Sequence, residues 1–121
     1  MMIKLIMCLH RRSDLTREEF LDYWQNKHGP FFMENAPVMR ARKYVQDQTL
    51  SSPMNDAFRQ SRGMAEEFDG VAEVWFESEE DLMEAMSAAE GQALAEALLK
   101  DEANFIDHAR SCAFLVREQP F

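Results

Sequence analysis

The sequence predicts an α+β fold of the ferredoxin-like type, with the element order strand, helix, strand, strand, helix, strand (βαββαβ). Three observations lead to this prediction: apolar strand-like runs at both ends of the chain, capping signals before two helical segments, and two further strand-like runs between those helices. This order gives a split βαβ arrangement, a four-stranded antiparallel sheet that carries both helices on one face. The length of 121 residues fits a single domain, residues 1–121.

Residues 15–30, which read LTREEFLDYWQNKHGP, hold the clearest helix signals. Thr16 and Glu19 have the spacing of a capping box at the helix start. Gly29 and Pro30 predict its end, because glycine favours the left-handed C-cap conformation and proline cannot continue a helix. An aromatic stripe that ends in an imidazole repeats every four residues between these limits: Phe20, Trp24 and His28.

Two interpretations of His28 follow from this pattern. A histidine in the last turn of a helix stabilises it, because imidazolium complements the negative end of the helix dipole. Alternatively, His28 is a proton-transfer group at the mouth of an aromatic pocket, since histidine titrates closest to neutral pH. Spacing alone favours the first interpretation, which requires no substrate.

The other elements are predicted from hydrophobic periodicity and from residues that begin or end helices and turns. Alternation predicts strands over residues 2–10, 38–50, 71–77 and 111–117. Ser78 caps a second helix with acidic residues in its first turn, which continues past a break at Gly91 to about Lys100. Residues 31–37 are predicted as a connector. Residues 51–68 carry loop composition without a sustained period, which predicts a mobile loop with at most a short helical turn.

Composition excludes several classes of protein. A formal net charge of −9 and a pI near 4.7 argue against a nucleic-acid partner. No apolar run is long enough for a membrane span, and the N-terminal run lacks a signal-peptide cleavage site, which predicts a cytoplasmic protein. Cys8 and Cys112 lack the spacing of a zinc site and are expected to be buried free thiols. We expect no metal.

The uncovered face of the sheet predicts a homodimer. Two helices cover one face only, and the alternation places Trp75, Tyr44 and apolar residues of the outer strands on the other. An exposed apolar surface of that kind is costly, so we expect a second copy of the chain to cover it. The enclosed space between the two sheets would then be a cavity with apolar walls, lined by Tyr44 and Glu73, with His28 as a further candidate.

Three blocks together resemble the EthD family of the dimeric α+β barrel superfamily: residues 15–30, residues 68–82 (FDGVAEVWFESEEDL) and residues 101–107 (DEANFID). The resemblance covers the chain from Met2 to about Val116, except for the loop at 51–67. It implies a dimeric cavity protein for small hydrophobic molecules. Such proteins are variously linked to oxidative degradation, to polyketide-type dehydration or cyclisation, and to methylmuconolactone isomerisation.

The resemblance also implies site residues. Isomerase-type relatives use a histidine near the end of the first helix and a tyrosine on the second strand, positions that match His28 and Tyr44 here. With the family in view, a catalytic role becomes the favoured interpretation of His28, and Trp24 and Trp75 are expected as aromatic walls. Glu73 is either a buried acid with a raised pKa or an exposed residue at the sheet edge.

The resulting hypothesis is cofactor-independent acid–base chemistry on a small hydrophobic, aromatic or lactone-like metabolite, of the isomerase, dehydratase or cyclase type. The sequence contains no flavin, haem or nicotinamide motif, so no cofactor is expected. Two alternatives remain open. One is a non-catalytic binding or accessory protein of an oxidative degradation system, and the other is a cofactor-independent monooxygenase.

Overall fold

A single four-stranded antiparallel sheet forms the base of the molecule. The computed structural model describes residues 2–121, so that the first residue of the predicted domain lies outside it. The strands are β1 (Ile3–Leu9), β2 (Lys43–Gln48), β3 (Gly70–Phe76) and β4 (Cys112–Val116). They are ordered β2-β3-β1-β4, and all three pairings are antiparallel. This arrangement confirms the predicted ferredoxin-like α+β fold.

Five helices complete the chain. They are α1 (Arg17–Tyr23), α2 (Gly29–Met39), α3 (Pro53–Arg62), α4 (Glu79–Ser87) and α5 (Ala89–Glu102). A π-helical turn, Trp24–His28, joins α1 to α2 without a break, and a short 3-10 turn, His108–Arg110, precedes β4. The segment from α1 to α2 forms one side of the helical layer, and α4 and α5 pack beside it. Within the described residues, no helix is both long enough and apolar enough to cross a membrane.

The capping box at Thr16 and Glu19 is present, but the predicted end of the first helix is wrong. Gly29 has a right-handed φ of −56°, and the chain continues as α2 through the expected connector at 31–37. Pro30 lies in the first turn of α2, where a missing N–H costs little. Because α2 ends at Met39, β2 begins at Lys43 and is shorter than predicted.

The loop predicted at 51–68 contains a regular helix. Ser52 caps α3 by accepting a hydrogen bond from the Met54 N–H, and Gly63 ends it with a φ of +61°. None of the residues of α3 is buried, so tertiary packing contributes little to the stability of this helix. The two caps are therefore the main features of the sequence that indicate it. The second predicted helix is divided at Ala88 rather than at Gly91.

The core lies between the sheet and the helices. Fully buried side chains come from α1 and the π-helical turn, from the sheet, and from the segment after α5: Phe20, Trp24, Phe76, Leu9 and Phe105. Two clusters of buried residues make up this core, and Tyr44 packs against both. The predicted aromatic stripe of the first helix therefore faces the sheet.

The strand register sets which side chains share a face. Tyr44 pairs with Val74, whereas Lys43 pairs with Trp75, so Tyr44 lies under the helices and Trp75 on the uncovered face. The prediction that both share the uncovered face is therefore wrong for Tyr44. Cys8 pairs with Cys112 on that face. Contrary to expectation neither thiol is fully buried, because β4 is an edge strand and no helix covers that side.

A candidate active site in an apolar cavity

A cavity of about 340 Å³ lies between the sheet and helices α2 and α5 of the one chain, and it is partly open to solvent, because its lining includes the exposed residues Met86 and Leu99. The space expected between two sheets is therefore not where the predicted residues meet. Most of the lining is apolar, including two rows from the central strands: Leu5, Met7 and Leu9 of β1, and Ala72, Val74 and Phe76 of β3. Three lining side chains carry a titratable group: His28, Tyr44 and Glu102.

His28 is held by a carboxylate from the last turn of α5. The ring is only 7% exposed, and its Nδ1 lies 2.6 Å from Oδ2 of Asp101 at the end of α5. The other carboxylate oxygen of Asp101 accepts a hydrogen bond of 2.7 Å from the Tyr23 hydroxyl. That hydroxyl in turn accepts one of 3.0 Å from Asn104. The imidazole also packs on the ring of Phe105, at 5.2 Å between centroids.

This arrangement fixes which nitrogen of His28 is free. A carboxylate accepts only from a protonated nitrogen, so Nδ1 carries a hydrogen, and in the neutral ring Nε2 carries the lone pair. In the described part of the chain, Nε2 of His28 has no hydrogen-bond partner. Every fully buried side-chain nitrogen or oxygen of the described residues does have a partner, so Nε2 is not one of the fully buried atoms. Nε2 is therefore accessible, which is what a proton acceptor in a cavity requires.

The π-helical turn places His28 and connects it to the sheet. Its wider turn lets the Gly29 N–H donate to the Trp24 carbonyl, five residues back. The same carbonyl accepts a hydrogen bond of 2.8 Å from the Gln46 side chain on β2. Such π-helical turns occur frequently at functional sites.

Tyr44 presents a protonated hydroxyl to the cavity. Burial raises its pKa to about 12, an effect that hydrogen bonds from Gln46 and Trp24 partly offset. The Gln46 amide donates to the hydroxyl oxygen at 2.8 Å. Among residues 2–121, no acceptor takes the hydroxyl hydrogen, so it is available to an oxygen atom of a ligand.

Trp24 forms part of the cavity wall and is 1% exposed. Its indole packs directly on the backbone of Gly70, where a Cβ atom would overlap the ring. Glycine at this position of β3 therefore makes room for the indole. The structure thus brings together three of the predicted site residues, His28, Tyr44 and Trp24, around one cavity.

Trp75 and Glu73 do not line this cavity, and their expected part in binding a substrate stays a prediction. Residues alternate along β3, so both point to the uncovered face, away from Val74. The Trp75 ring lies between Lys4 and Lys43, whose Nζ atoms are 4.9 and 4.7 Å from its centroid.

Glu73 is also not a carboxylic acid with a raised pKa. The neighbouring Asp47 carboxyl, whose own pKa is raised, takes up a proton before Glu73 does, and the Lys4 ammonium donates a hydrogen bond of 2.7 Å to Glu73; both effects lower the pKa of Glu73. The sequence hypothesis of an acid for proton donation therefore does not apply to this residue.

Sequence reasoning missed Asp101 and Glu102. The second predicted helix ends at about Lys100, before both residues, whereas they form the last turn of α5. Their signal was present, because they open the third block of the family resemblance, but spacing alone cannot pair Asp101 with a histidine 73 positions away. Among the described residues, no cluster of three or more histidine, cysteine or acidic side chains is placed to hold a metal ion.

The fold and the site define the class as a ferredoxin-like α+β domain with an apolar cavity. The family model described as the EthD domain matches residues 12–109, and the chain belongs to the EthD family. No curated protein matches the sequence.

Solved structures share the fold over nearly the whole chain. An ethyl tert-butyl ether degradation (EthD) family protein from Bacillus halodurans is 23% identical, with a TM-score of 0.65 over 98% of this chain and 100% of its own. A dimeric protein of unknown function from Bacteroides fragilis is 15% identical, with a TM-score of 0.60 over 97% and 96%. A cofactor-independent oxygenase from Streptomyces nogalater is 10% identical, with a TM-score of 0.55 over 99% and 95%.

Proposed function

We propose that this EthD-family protein is a cofactor-independent enzyme that moves a proton on a small hydrophobic molecule, aromatic or lactone-like, in an isomerase, dehydratase or cyclase type of reaction. The observation that carries the proposal is the His28–Asp101 pair at an otherwise apolar cavity. A buried histidine whose Nδ1 is bound by a carboxylate is oriented as a general base, because the carboxylate fixes the tautomer and stabilises the imidazolium that forms.

The reaction uses three groups. Nε2 of His28 removes a proton from a carbon next to a carbonyl group of the substrate, and Asp101 stabilises the resulting imidazolium. The Tyr44 hydroxyl donates a hydrogen bond to the substrate oxygen, where negative charge develops. The imidazolium then returns the proton to another atom of the same molecule. General acid–base catalysis of this kind contributes roughly 10²- to 10⁴-fold to a rate.

The apolar walls support a small hydrophobic substrate. Two rows of aliphatic and aromatic side chains from β1 and β3 and the Trp24 ring form apolar walls, and few polar groups interrupt them. A hydrophobic substrate that fills this space displaces water, which strengthens the hydrogen bonds of His28 and Tyr44 to it. The Streptomyces nogalater oxygenase supports cofactor-independent chemistry on this fold, and it also motivates the alternative of a cofactor-independent monooxygenase.

We also propose that the protein is a homodimer in which the uncovered face of the sheet packs against a second copy. The Bacteroides fragilis neighbour, described as dimeric, supports this assembly. The face combines ion pairs such as Lys4–Glu73 with apolar groups such as Phe114, which is 49% exposed. The two free thiols on this face, Cys8 and Cys112, are in keeping with a reducing compartment such as the cytoplasm.

The test does not require the product to be known. Neutral aromatic ketones and lactones are first screened by thermal shift, since a ligand of the native state raises the melting temperature. Each ligand found is then incubated with the protein in D₂O, and incorporation of deuterium at carbon is followed by NMR. We expect exchange with the wild-type protein and none with His28→Gln. The matched control is His10→Gln, because His10 lies outside the cavity beside Asp69.

Three outcomes separate the hypotheses. Exchange that depends on His28 supports the enzyme. Binding of ligands without exchange or turnover overturns it in favour of a binding protein. Oxygen uptake with these ligands overturns it in favour of a monooxygenase.

A further inference from the structure

We propose that Glu102 makes the cavity selective for uncharged or cationic ligands and excludes carboxylates. The inference deepens the proposed function, because it takes the cavity as the ligand site and assigns the charge class of its ligand. It does not depend on whether His28 transfers a proton.

The charged groups around the cavity determine which ligands it can hold. Its lining contains no lysine and no arginine. His28 can carry a positive charge when protonated, but its Nδ1 is bound to the Asp101 carboxylate, which balances that charge. Glu102 adds a carboxylate that no cation of the lining neutralises, so the lining is negative in either protonation state of His28.

Glu102 lines the cavity at the end of α5, and its side chain is only 16% exposed. Its negative charge is one of the causes that raise the pKa of Tyr44, which lines the same cavity. Oε1 lies 3.0 Å from Nε2 of His108, which is 43% exposed and outside the lining. Across residues 2–121, no side chain or backbone group bonds the other oxygen, Oε2.

The energetics decide which ligands enter. A carboxylate that moves from water into an apolar cavity loses its hydration, and it needs a paired cation or several donors to recover that loss. When His28 is neutral, the carboxylate meets Glu102 and a single free donor, the Tyr44 hydroxyl. A neutral ligand with one carbonyl or hydroxyl oxygen bonds to Tyr44 without the desolvation cost of an ion. An ammonium group gains an ion pair with Glu102.

Among the substrates considered above, this selects uncharged aromatic ketones and lactones and excludes free acids. Glu102 is thus a specificity-determining residue, whereas Asp101, its neighbour in sequence, positions His28.

The experiment compares three probes that share one ring system and differ in charge: 2-naphthalenemethanol, 2-naphthoate and 2-naphthylmethylammonium. Their dissociation constants are measured at neutral pH by isothermal titration calorimetry. For the wild-type protein we expect the carboxylate to bind about tenfold or more weakly than the alcohol, and the ammonium at least as tightly as the alcohol.

The Glu102→Gln variant should remove this ranking. The carboxylate should approach the alcohol in affinity, the ammonium should lose its advantage, and the alcohol should change little. Glu96→Gln is the matched control, because Glu96 lies on the exposed side of α5 and the substitution removes the same charge from the same helix. The control should keep the wild-type ranking.

Three results would overturn the inference: equal affinities for the carboxylate and the alcohol in the wild-type protein, an unchanged ranking in Glu102→Gln, or no binding by any of the probes. Failure of the proposed function has a different signature, since His28→Gln would then leave deuterium exchange unchanged while the charge ranking of the three probes persisted.

Discussion

Oδ2 of Asp101 lies 2.6 Å from Nδ1 of His28, although the two residues are 73 positions apart in the chain. The contact joins the end of α5 to the end of the π-helical turn. The sequence predicts His28 in the last turn of the first helix and Asp101 just after the second, and only the packing of α5 beside α2 brings the two residues together. The pair is the one structural relationship on which the proposed chemistry depends.

The Asp101→Asn substitution should change the tautomer of His28. An amide can donate as well as accept, so it can bond an unprotonated Nδ1 and leave the hydrogen on Nε2, the wrong nitrogen for a base. We expect a mixed or inverted tautomer in ¹H–¹⁵N spectra of the ring, and a loss of deuterium exchange of about 10²-fold or more. Asp56→Asn on the exposed helix α3 is the control. An unchanged tautomer in Asp101→Asn would contradict the positioning role.

Tyr44 should remain protonated well above the ordinary pKa of a phenol. The chain has two tyrosines, so Tyr23→Phe leaves Tyr44 as the single phenol. At pH 10, near the ordinary value, absorbance at 295 nm should show a protonated Tyr44, because its pKa is raised to about 12. The unfolded chain ionises first, so the stabilisation is complete below pH 10 and is lost as the pH rises through 12. Half-ionised phenol at pH 10 in the folded protein would refute this.

Asp69 should make stability depend on acid pH. Its carboxylate is 1% exposed; burial opposes ionisation, but hydrogen bonds from the Arg11 backbone, from Arg17 and from the Arg11 side chain outweigh it and lower the pKa. A lowered pKa gives stabilisation that is present above the ordinary value of 3.8 and lost as the pH falls below it.

The Asp69→Asn variant isolates this contribution. It should cost about 2 kcal/mol at pH 7, since hydrogen bonds to charged groups contribute about 1.5–3 kcal/mol each and the amide retains some of them. Urea denaturation at pH 7 and at pH 3 should show the difference from the wild-type protein shrinking as the pH falls. A constant difference at both pH values would show that the charge of Asp69 is not responsible.

Gly70→Ala should disturb the cavity from the strand side. The added Cβ overlaps the Trp24 ring, so the indole must shift, and we expect destabilisation of about 1–3 kcal/mol as for other overpacked cores. Trp24 fluorescence and naphthalenemethanol binding should change together. Gly63→Ala serves as the reference: its positive φ also penalises a side chain, but nothing lies within 4 Å of the added atom. Wild-type fluorescence and binding in Gly70→Ala would disprove the close contact.

Phe114→Asp should disrupt the proposed dimer. Phe114 lies on the uncovered face of the sheet, opposite Ile6 in the β1–β4 pair, and is 49% exposed. A charge there should favour the monomer in analytical ultracentrifugation, because an unpaired carboxylate in an interface is costly. Phe58→Asp is the matched control, since Phe58 is equally exposed but lies on α3. Equal sedimentation of both variants and the wild-type protein would place the interface elsewhere.

The sequence allowed the fold to be predicted better than the site. Alternation placed the four strands, because residues such as Ala72, Val74 and Phe76 are buried with period two. Capping at Thr16 and Ser78 located two helix starts. The end of the first helix was predicted wrongly. Gly29 and Pro30 usually end a helix, but here they form the first turn of α2, which directly follows the π-helical turn.

Which residues form the site depends on strand register and on helix packing, and the spacing of residues along the sequence predicts neither. Whether Tyr44 lies under the helices or on the open face depends on the register of β2 against β3, and a shift of one residue would have reversed it. The roles of Asp101 and Glu102 depend on how far α5 extends and on what it packs against. Local patterns in a single sequence leave both undetermined.

The π-helical turn has a consequence for how this protein tolerates changes of length. Removing one residue from the exposed part of the turn, for example Asn26, would let the segment wind as an ordinary α-helix. Each residue of an α-helix turns the chain by about 100° about the helix axis. The deletion would therefore rotate the side chains of α1 about this axis relative to those of His28 and α2. The imidazole could then no longer meet both its carboxylate and the cavity, even though every residue of the site would still be present. The number of residues between Trp24 and His28 is therefore as much a part of the site as the side chains themselves.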